Sequence, residues 1–268
     1  MSSKGYPIGY SSSVVQAFQK RSAQEKAGFL LPHLKGYESL LDCGCGPGSI
    51  TLDFASLLPQ GSVCGVDIEP SQVEFSQKLM EERKIHNASF QTADILNLPF
   101  EDNSFDVAFV HAVLWTLEDA LSAIRELMRV VKPGGLIASR EPCMESVIYF
   151  PESKPFEKAF SLQFRAQGAM GCDRFVGRKL SFCFSQLGLQ EIKFSISSDV
   201  FATPERRRYL ADYAIAAWRE APWSQYIRKH SWASEAEIQS FEQALREWQE
   251  AEGAFMAASW CEALGRVP

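Results

Sequence analysis

What this 268-residue chain lacks narrows it first. No stretch reaches the roughly 18 consecutive apolar residues that read as a membrane span, and the opening MSSKGYP lacks the apolar core of a signal peptide. A cytoplasmic protein with no membrane partner is therefore expected. There is no basic excess either. The net charge of -6 provides no general field for nucleic acid or an anionic surface. The seven cysteines are an odd number without a regular framework and read as reduced thiols. Cys43 and Cys45 form C-x-C, but no second pair stands at zinc-ligand spacing, so no metal is expected. Internal repeats and low-complexity segments are missing as well. At 46% hydrophobic, the chain can bury a sizeable core in one domain with a small appended cap.

What is present is organised around residues 40–50, LLDCGCGPGSI. A short apolar run ends in an acid, Asp42, and glycines follow at 44, 46 and 48. Such a run reads as a buried parallel strand, and the glycines let the backbone turn tightly and lie against a ligand. Residues 49–58 are helix-compatible, so the unit is strand, glycine loop, helix, the opening of a nucleotide-binding α/β sheet. The dinucleotide fingerprint G-x-G-x-x-G is not met, because Ser49 stands where its last glycine belongs. The phosphate loop G-x-x-x-x-G-K-[ST] is absent too. An acid just before the loop suits a cation such as an ammonium better than a phosphate.

Two further strands end in acids. Residues 61–67 close on Asp67, 19 residues past Gly48, the spacing at which a second-strand acid meets a ribose diol. Helix N-capping is the blander role for Asp67. Ile68 and Gln72 follow where an adenine edge could rest, and residues 88–94 close on Asp94, with Ile95 beside the base. Ligands of open α/β sheets bind at the carboxyl ends of the strands, so Asp42, Asp67 and Asp94 together are a stronger signal than any one of them.

Residues 106–114 read as the fourth strand, with Asp106 anchoring its start and His111 near its end. His111 is either a cofactor-shaping hydrogen bonder or a general base. Trp115 could cover the cofactor or close a substrate pocket. A helix over 118–131 shows a 3.6 period, stopped by Lys132-Pro-Gly-Gly, and residues 136–142 form strand five, carrying Arg140 and Glu141 at its end. That pair either contacts substrate or forms an ion pair fixing a loop. Before the sheet, residues 11–30 read as one helix, with Tyr10 and Arg21 placed to watch the cofactor mouth or merely to dock.

Residues 144–178 are expected to be loop-rich, broken by Pro151 and Pro155; their aromatics, Tyr149 among them, either lid a pocket or pack a core. Thr203-Pro-Glu opens a new helix, threonine capping and proline at the first turn. Five of the six tryptophans, beginning with Trp218, lie in the last fifth, as an aromatic cap or as the core of a helical subdomain.

The segments 40–48, 65–68 (GVDI), 93–100 (ADILNLPF), 104–107 (SFDV) and 127–135 (LMRVVKPGG) stand in the order and spacing of one group. They resemble the ubiquinone/menaquinone-biosynthesis-like, small-molecule branch of the class I S-adenosylmethionine-dependent methyltransferases, over residues 10–140. The resemblance implies an α/β, Rossmann-like, seven-stranded sheet of order 3-2-1-4-5-7-6, strand seven antiparallel, with helices on both faces and a small helical cap. It implies a division into an N-terminal helix (1–35), a core (36–202), a cap insertion (203–252) and a final strand (253–268). Gly44 and Gly46 would then approach the methionine arm of S-adenosylmethionine, Asp67 the ribose and Asp94 the adenine. Tyr10, Arg21, Asp42, Cys45, Ile68, Gln72, Ile95 and His111 complete the expected cofactor set, though Cys43 and Cys45 depart from the family's usual residues. Trp115, Arg140, Tyr149 and Trp218 are the expected substrate-pocket residues, and His111, Arg140 and Glu141 the catalytic candidates.

The function implied is SN2 methyl transfer to an O, N, S or C nucleophile of a small molecule. The oligomeric state stays open. An NAD(P)-binding oxidoreductase and a non-catalytic S-adenosylmethionine-binding protein are the alternatives. A nucleic-acid methyltransferase is disfavoured, since strand four reads Val110-His-Ala-Val where the exocyclic-amine type carries Asn/Asp-Pro-Pro-Tyr/Phe.

Overall fold

The structure, a computed structural model, describes residues 6–268. In chain order the helices are α1 (Ser12–Gln19), α2 (Ala23–Lys26), α3 (Ser49–Leu57), α4 (Pro70–Arg83), α5 (Ala120–Val130), α6 (Lys154–Ala169), α7 (Val176–Gln186), α8 (Pro204–Glu220), α9 (Pro222–Lys229) and α10 (Glu235–Glu250). The strands are β1 (Ser39–Cys43), β2 (Ser62–Asp67), β3 (Ala88–Thr92), β4 (Phe105–His111), β5 (Val131–Pro142), β6 (Ile148–Phe150), β7 (Gln190–Phe201) and β8 (Phe255–Arg266). The chain divides into two compact units. The larger holds residues 18–142, 175–196 and 261–268; the smaller holds 143–174, 197–260 and the segment up to Ala17. The helices expected over 203–252 are thus one part of a unit that also draws in α6 and β6.

The larger unit is built on a parallel sheet in the order β3-β2-β1-β4-β5. Its central strands are apolar on both faces because helices cover both: Leu40, Leu41 and Cys43 of β1 and Ala108, Phe109 and Val110 of β4 are fully buried. Phe54 of α3 packs edge-on against Phe109 at 5.2 Å, inside a cluster with Leu40, Val63, Val107 and Leu136. Next to β5 comes β8, which also pairs with β7. Gly134 and Gly135 exchange hydrogen bonds with Val267, while Cys143 bonds Ser259, so β5 and β8 run antiparallel. Glu191 pairs with Arg266, Ser195 with Glu262 and Ser198 with Ser259, which sets β7 antiparallel to β8 as well. Leaving out the short β6, the order is the expected one, with the last strand reversed.

Three local expectations are corrected. Residues 11–30 are not one helix. Arg21 N–H closes α1 onto Phe18 O, Ser22 caps α2 by accepting from Glu25 N–H, and Asp53 of α3 captures Ala23 N–H at 2.9 Å. Tertiary capture of a backbone donor outweighs the continuous helical pattern. Strand five begins at Val131 rather than 136: Val131 pairs with Phe105 and Leu136 with Val107, and Lys132–Gly135 bulges out between them. The span 144–178 is not mainly loop, since β6, α6 and the start of α7 together occupy most of it. Ser153 caps α6 and Pro155 sits in its first turn, where a missing N–H costs nothing. The anchoring of Asp106 is as expected: it accepts from Ser39 N–H at 2.9 Å and from Lys132 Nζ at 2.7 Å.

The smaller unit packs α6, α8, α9 and α10 around Trp218, Trp223 and Phe241. Trp218 meets Trp223 edge-on at 4.7 Å and Phe241 at 5.0 Å. A second cluster gathers Phe156, Trp248 and Met256, with Tyr149 of β6 against Phe156 at 5.6 Å. The cap of α10 is a full capping box between Ser234 and Glu237. No described helix is long and apolar enough to cross a membrane.

Candidate functional site

The carboxyl ends of β1, β2 and β4 bring most of the expected residues together in the larger unit. The loop after β1 is left-handed at three glycines, with φ of 76° at Gly44, 51° at Gly46 and 79° at Gly48, a region that penalises any side chain. Each glycine has its own reason beyond φ. A Cβ at Gly44 would lie 2.2 Å from Val113 Cγ2, and one at Gly48 would lie 2.8 Å from the Ser76 side chain. A Cβ at Gly46 would meet nothing within 4 Å. Gly44 and Gly48 are therefore small because protein fills the space, and Gly46 borders an opening.

Gly46 is gripped on both sides of its backbone. Its N–H donates to Asp67 Oδ2 at 2.8 Å, and its carbonyl accepts from Ser76 Oγ at 2.8 Å. Asp67 Oδ1 takes the Glu69 N–H at 3.0 Å. The Ile68 N–H also faces this carboxylate, which keeps part of its roughly four acceptor positions open. Burial pushes the Asp67 carboxyl up, and the N–H groups of Glu69 and Gly46 pull it back. An open glycine next to a nearly buried carboxylate with spare acceptor capacity fits a sugar-bearing nucleotide.

The other two strand-end acids differ. Asp42 is buried and accepts from Thr51 Oγ1 at 2.6 Å, tying β1 to α3; burial raises its carboxyl to about 7. Asp94 lies just past β3 in a turn, accepting from Leu96 N–H at 2.9 Å and bridging to Asn97. Ile95 beside it is buried. Ile68 is 62% exposed while Gln72 is buried. Cys45 is buried, as is Cys43, and burial pushes both thiols well up.

Around the end of β4 the structure gives the catalytic candidates settled partners. His111 is buried, and its Nδ1 sits 3.2 Å from Arg140 O. Burial, with the cations Arg21, Arg140 and Lys26 nearby, holds it well below the usual histidine range. Arg140 is 1% exposed and pairs with Glu262 at 3.3 Å. Glu141 is fully buried: Oε1 accepts from Val113 N–H at 3.2 Å and Leu114 N–H at 3.0 Å, and Oε2 from Trp115 N–H at 3.2 Å. Burial raises its carboxyl to about 8 against the pull of those donors. Arg140 thus ties β5 to β8, and Glu141 holds the turn after β4. Trp115 is likewise 1% exposed, its indole N–H donating to Ala112 O at 3.0 Å.

Arg21 stacks over Phe18 at 3.8 Å, and Phe18 O accepts from Ser49 Oγ at the start of α3, so this segment lies beside the glycine loop's helix. Tyr10, Tyr149 and Trp218 belong to the smaller unit. Tyr10 stacks on Tyr6 at 5.3 Å, and Trp218 is a core residue, 3% exposed. Three contributors were missed from sequence: Thr51, Ser76 and Val113. Ser76 was within reach, since it lies one helical turn beyond Gln72 on the same face of α4. Val113 carried no signal, because its contact with Gly44 depends on how the chain leaves β4.

Comparison with known proteins agrees with this geometry. Residues 34–173 match the family model described as a methyltransferase domain, which spans more than half the chain. An uncharacterized methyltransferase of Schizosaccharomyces pombe is 33% identical over 217 residues, 77% of each chain. A probable methyltransferase, ltbC, of Aspergillus luteorubrus is 29% identical over 275 residues, covering 97% of this chain and 96% of that one. Among solved structures, the YcgJ protein of Bacillus subtilis superposes with a TM-score of 0.59 at 18% identity, over 90% of this chain and 97% of that one, a likeness of fold alone. With the strand order and the glycine loop already in place, the chain belongs to the methyltransferase-domain family and is a class I S-adenosylmethionine-dependent methyltransferase.

Proposed function

We propose that Gly44 and Gly46 face the methionine arm of S-adenosylmethionine, that Asp67 holds the ribose diol, and that Asp94 and Ile95 border the adenine. The observation that carries this is the double grip on Gly46, whose N–H and carbonyl are fixed while the space at its Cα stays open. A fixed, open backbone beside a carboxylate is what close approach by a sugar-linked cation requires. When bound, the cofactor supplies a methyl group already activated on a sulfonium.

The chain's own task is then to hold the reactants and exclude water. Positioning of that kind can supply several kcal/mol, with effective molarities on the order of 10⁵ M. His111, Arg140 and Glu141 already have structural partners, and we assign none of them to proton transfer. An acceptor whose nucleophile needs no deprotonation on the enzyme, such as a thiolate, an amine or an activated carbon, follows from that assignment. The motifs between residues 40 and 135 further support the ubiquinone/menaquinone-biosynthesis-like branch. A transfer assay with methyl-labelled cofactor against thiols, amines, phenols and activated ring carbons tests the reading. Label is expected on at least one thiol, amine or activated ring carbon and on no phenol oxygen. Transfer to nucleic acid or protein and to none of the small molecules would refute it.

A further inference from the structure

We infer that Glu141 is a positioning residue for the cofactor loop: through the N–H groups of residues 113–115 it holds Val113 against Gly44 and so sets where the glycine loop lies. The inference rests on the cofactor reading above.

The chain leaves β4 abruptly. His111 pairs with Arg140, and the next residue, Ala112, has a φ of 58°, a strained value for a side-chain-bearing residue. Ala112 N–H stays on Arg140 O at 3.0 Å, so the turn pivots on the end of β5. The next three N–H groups then all converge on the Glu141 carboxyl group. Thr116 Oγ1 donates to Val113 O at 2.7 Å and Trp115 Nε1 to Ala112 O, closing the turn from behind. The turn's forward side is Val113, whose Cγ2 occupies the place a Cβ on Gly44 would need.

Glu141 itself cannot drift. A Cβ on Gly177 of α7 would lie 3.0 Å from Glu141 O and 2.9 Å from Pro142 O, so α7 lies directly on the end of β5. A chain of close contacts therefore runs from α7 through Glu141 and Val113 to Gly44. It fixes the wall on which the loop rests.

A second carboxylate in the same unit gives a matched control. Glu38, 6% exposed, accepts from Lys35 N–H at 2.8 Å, Gly36 N–H at 3.0 Å and Tyr37 N–H at 3.1 Å. It is the same device, three backbone donors on one buried glutamate, but it precedes β1 at the opposite end of the sheet. Glu141→Gln and Glu38→Gln each leave a side-chain amide facing a backbone N–H and should each lower the melting temperature.

The experiment is calorimetric titration of S-adenosylhomocysteine into the full-length wild type and both variants, with thermal melts alongside. Wild-type binding tests the cofactor reading on its own. Given that binding, Glu141→Gln is expected to weaken it at least tenfold and Glu38→Gln less than twofold. Equal affinity in wild type and Glu141→Gln, or equal losses in the two variants, would overturn the inference. If Glu141→Gln does not fold, Val113→Ala replaces it, leaving the carboxylate's donors in place and removing the contact on Gly44. Weaker binding then supports the inference, and unchanged binding overturns it.

Discussion

Replacing Asp67 separates a cofactor-holding carboxylate from a structural one. Asp67→Ala removes the acceptor for Gly46 N–H and, on our reading, the two bonds to the ribose diol. A hydrogen bond to a charged group contributes about 1.5 to 3 kcal/mol. Two such bonds therefore amount to at least about 3 kcal/mol, roughly 100-fold in affinity. Asp67→Asn keeps one carbonyl oxygen and should lose about tenfold, since its amide group must turn toward one of the two backbone donors. Stability should move differently. With its amide group against one of those donors, the asparagine variant is expected to melt below the wild type, by less than the alanine variant loses in affinity. The assay is calorimetric titration of S-adenosylhomocysteine beside a melting curve. A folded Asp67→Ala protein that binds within threefold of wild type would refute the assignment.

The glycine loop, the pH dependence and the smaller unit provide further tests. Gly46→Ala should fold, losing about 1 to 2 kcal/mol for the left-handed backbone, yet bind S-adenosylhomocysteine far more weakly, because its methyl enters the open space. Gly44→Ala, which drives a methyl into Val113, should lose clearly more melting temperature than Gly46→Ala; equal melting of the two would contradict the geometry. Between pH 7 and 8 the folded Glu141, raised to about 8, keeps a proton that its unfolded counterpart has released. Stability must therefore fall as pH rises through this window, by about 1 kcal/mol for Glu141 alone. Asp42 adds to the fall near its value of about 7. Melts of wild type and Glu141→Gln across that range check the sign, the variant being flatter; a wild-type slope that rises would contradict it. Trp218→Ala should destabilise the smaller unit by about 3 to 5 kcal/mol, read as an earlier unfolding transition in the melt.

How much of this was legible in sequence depends on how local the physics is. The strand-loop-helix at residues 40–50 and the acids at 67 and 94 could be read because apolar runs, glycine spacing and strand-end acids are sequential features. The order of the sheet came with the resemblance those motifs carry. What escaped was set by contacts across the chain. The helix over 11–30 breaks because Asp53 captures Ala23 N–H, thirty residues away. Pro155 starts α6 instead of breaking it because Ser153 caps that turn. Arg140 and Glu141 were open between substrate contact and loop anchoring, and only the position of Glu262 and of the turn after β4 shows which contacts they make. Trp115 was marked as a pocket wall, and its burial follows from the same turn, whose conformation no residue type announced.

Crystals grown with S-adenosylhomocysteine test the central claim most directly. The account places the ribose hydroxyls within hydrogen-bond distance of Asp67, the chain of the amino acid along Gly44 and Gly46, and the base beside Asp94 and Ile95. A ligand bound elsewhere on the chain, or a ribose held away from Asp67, would contradict it.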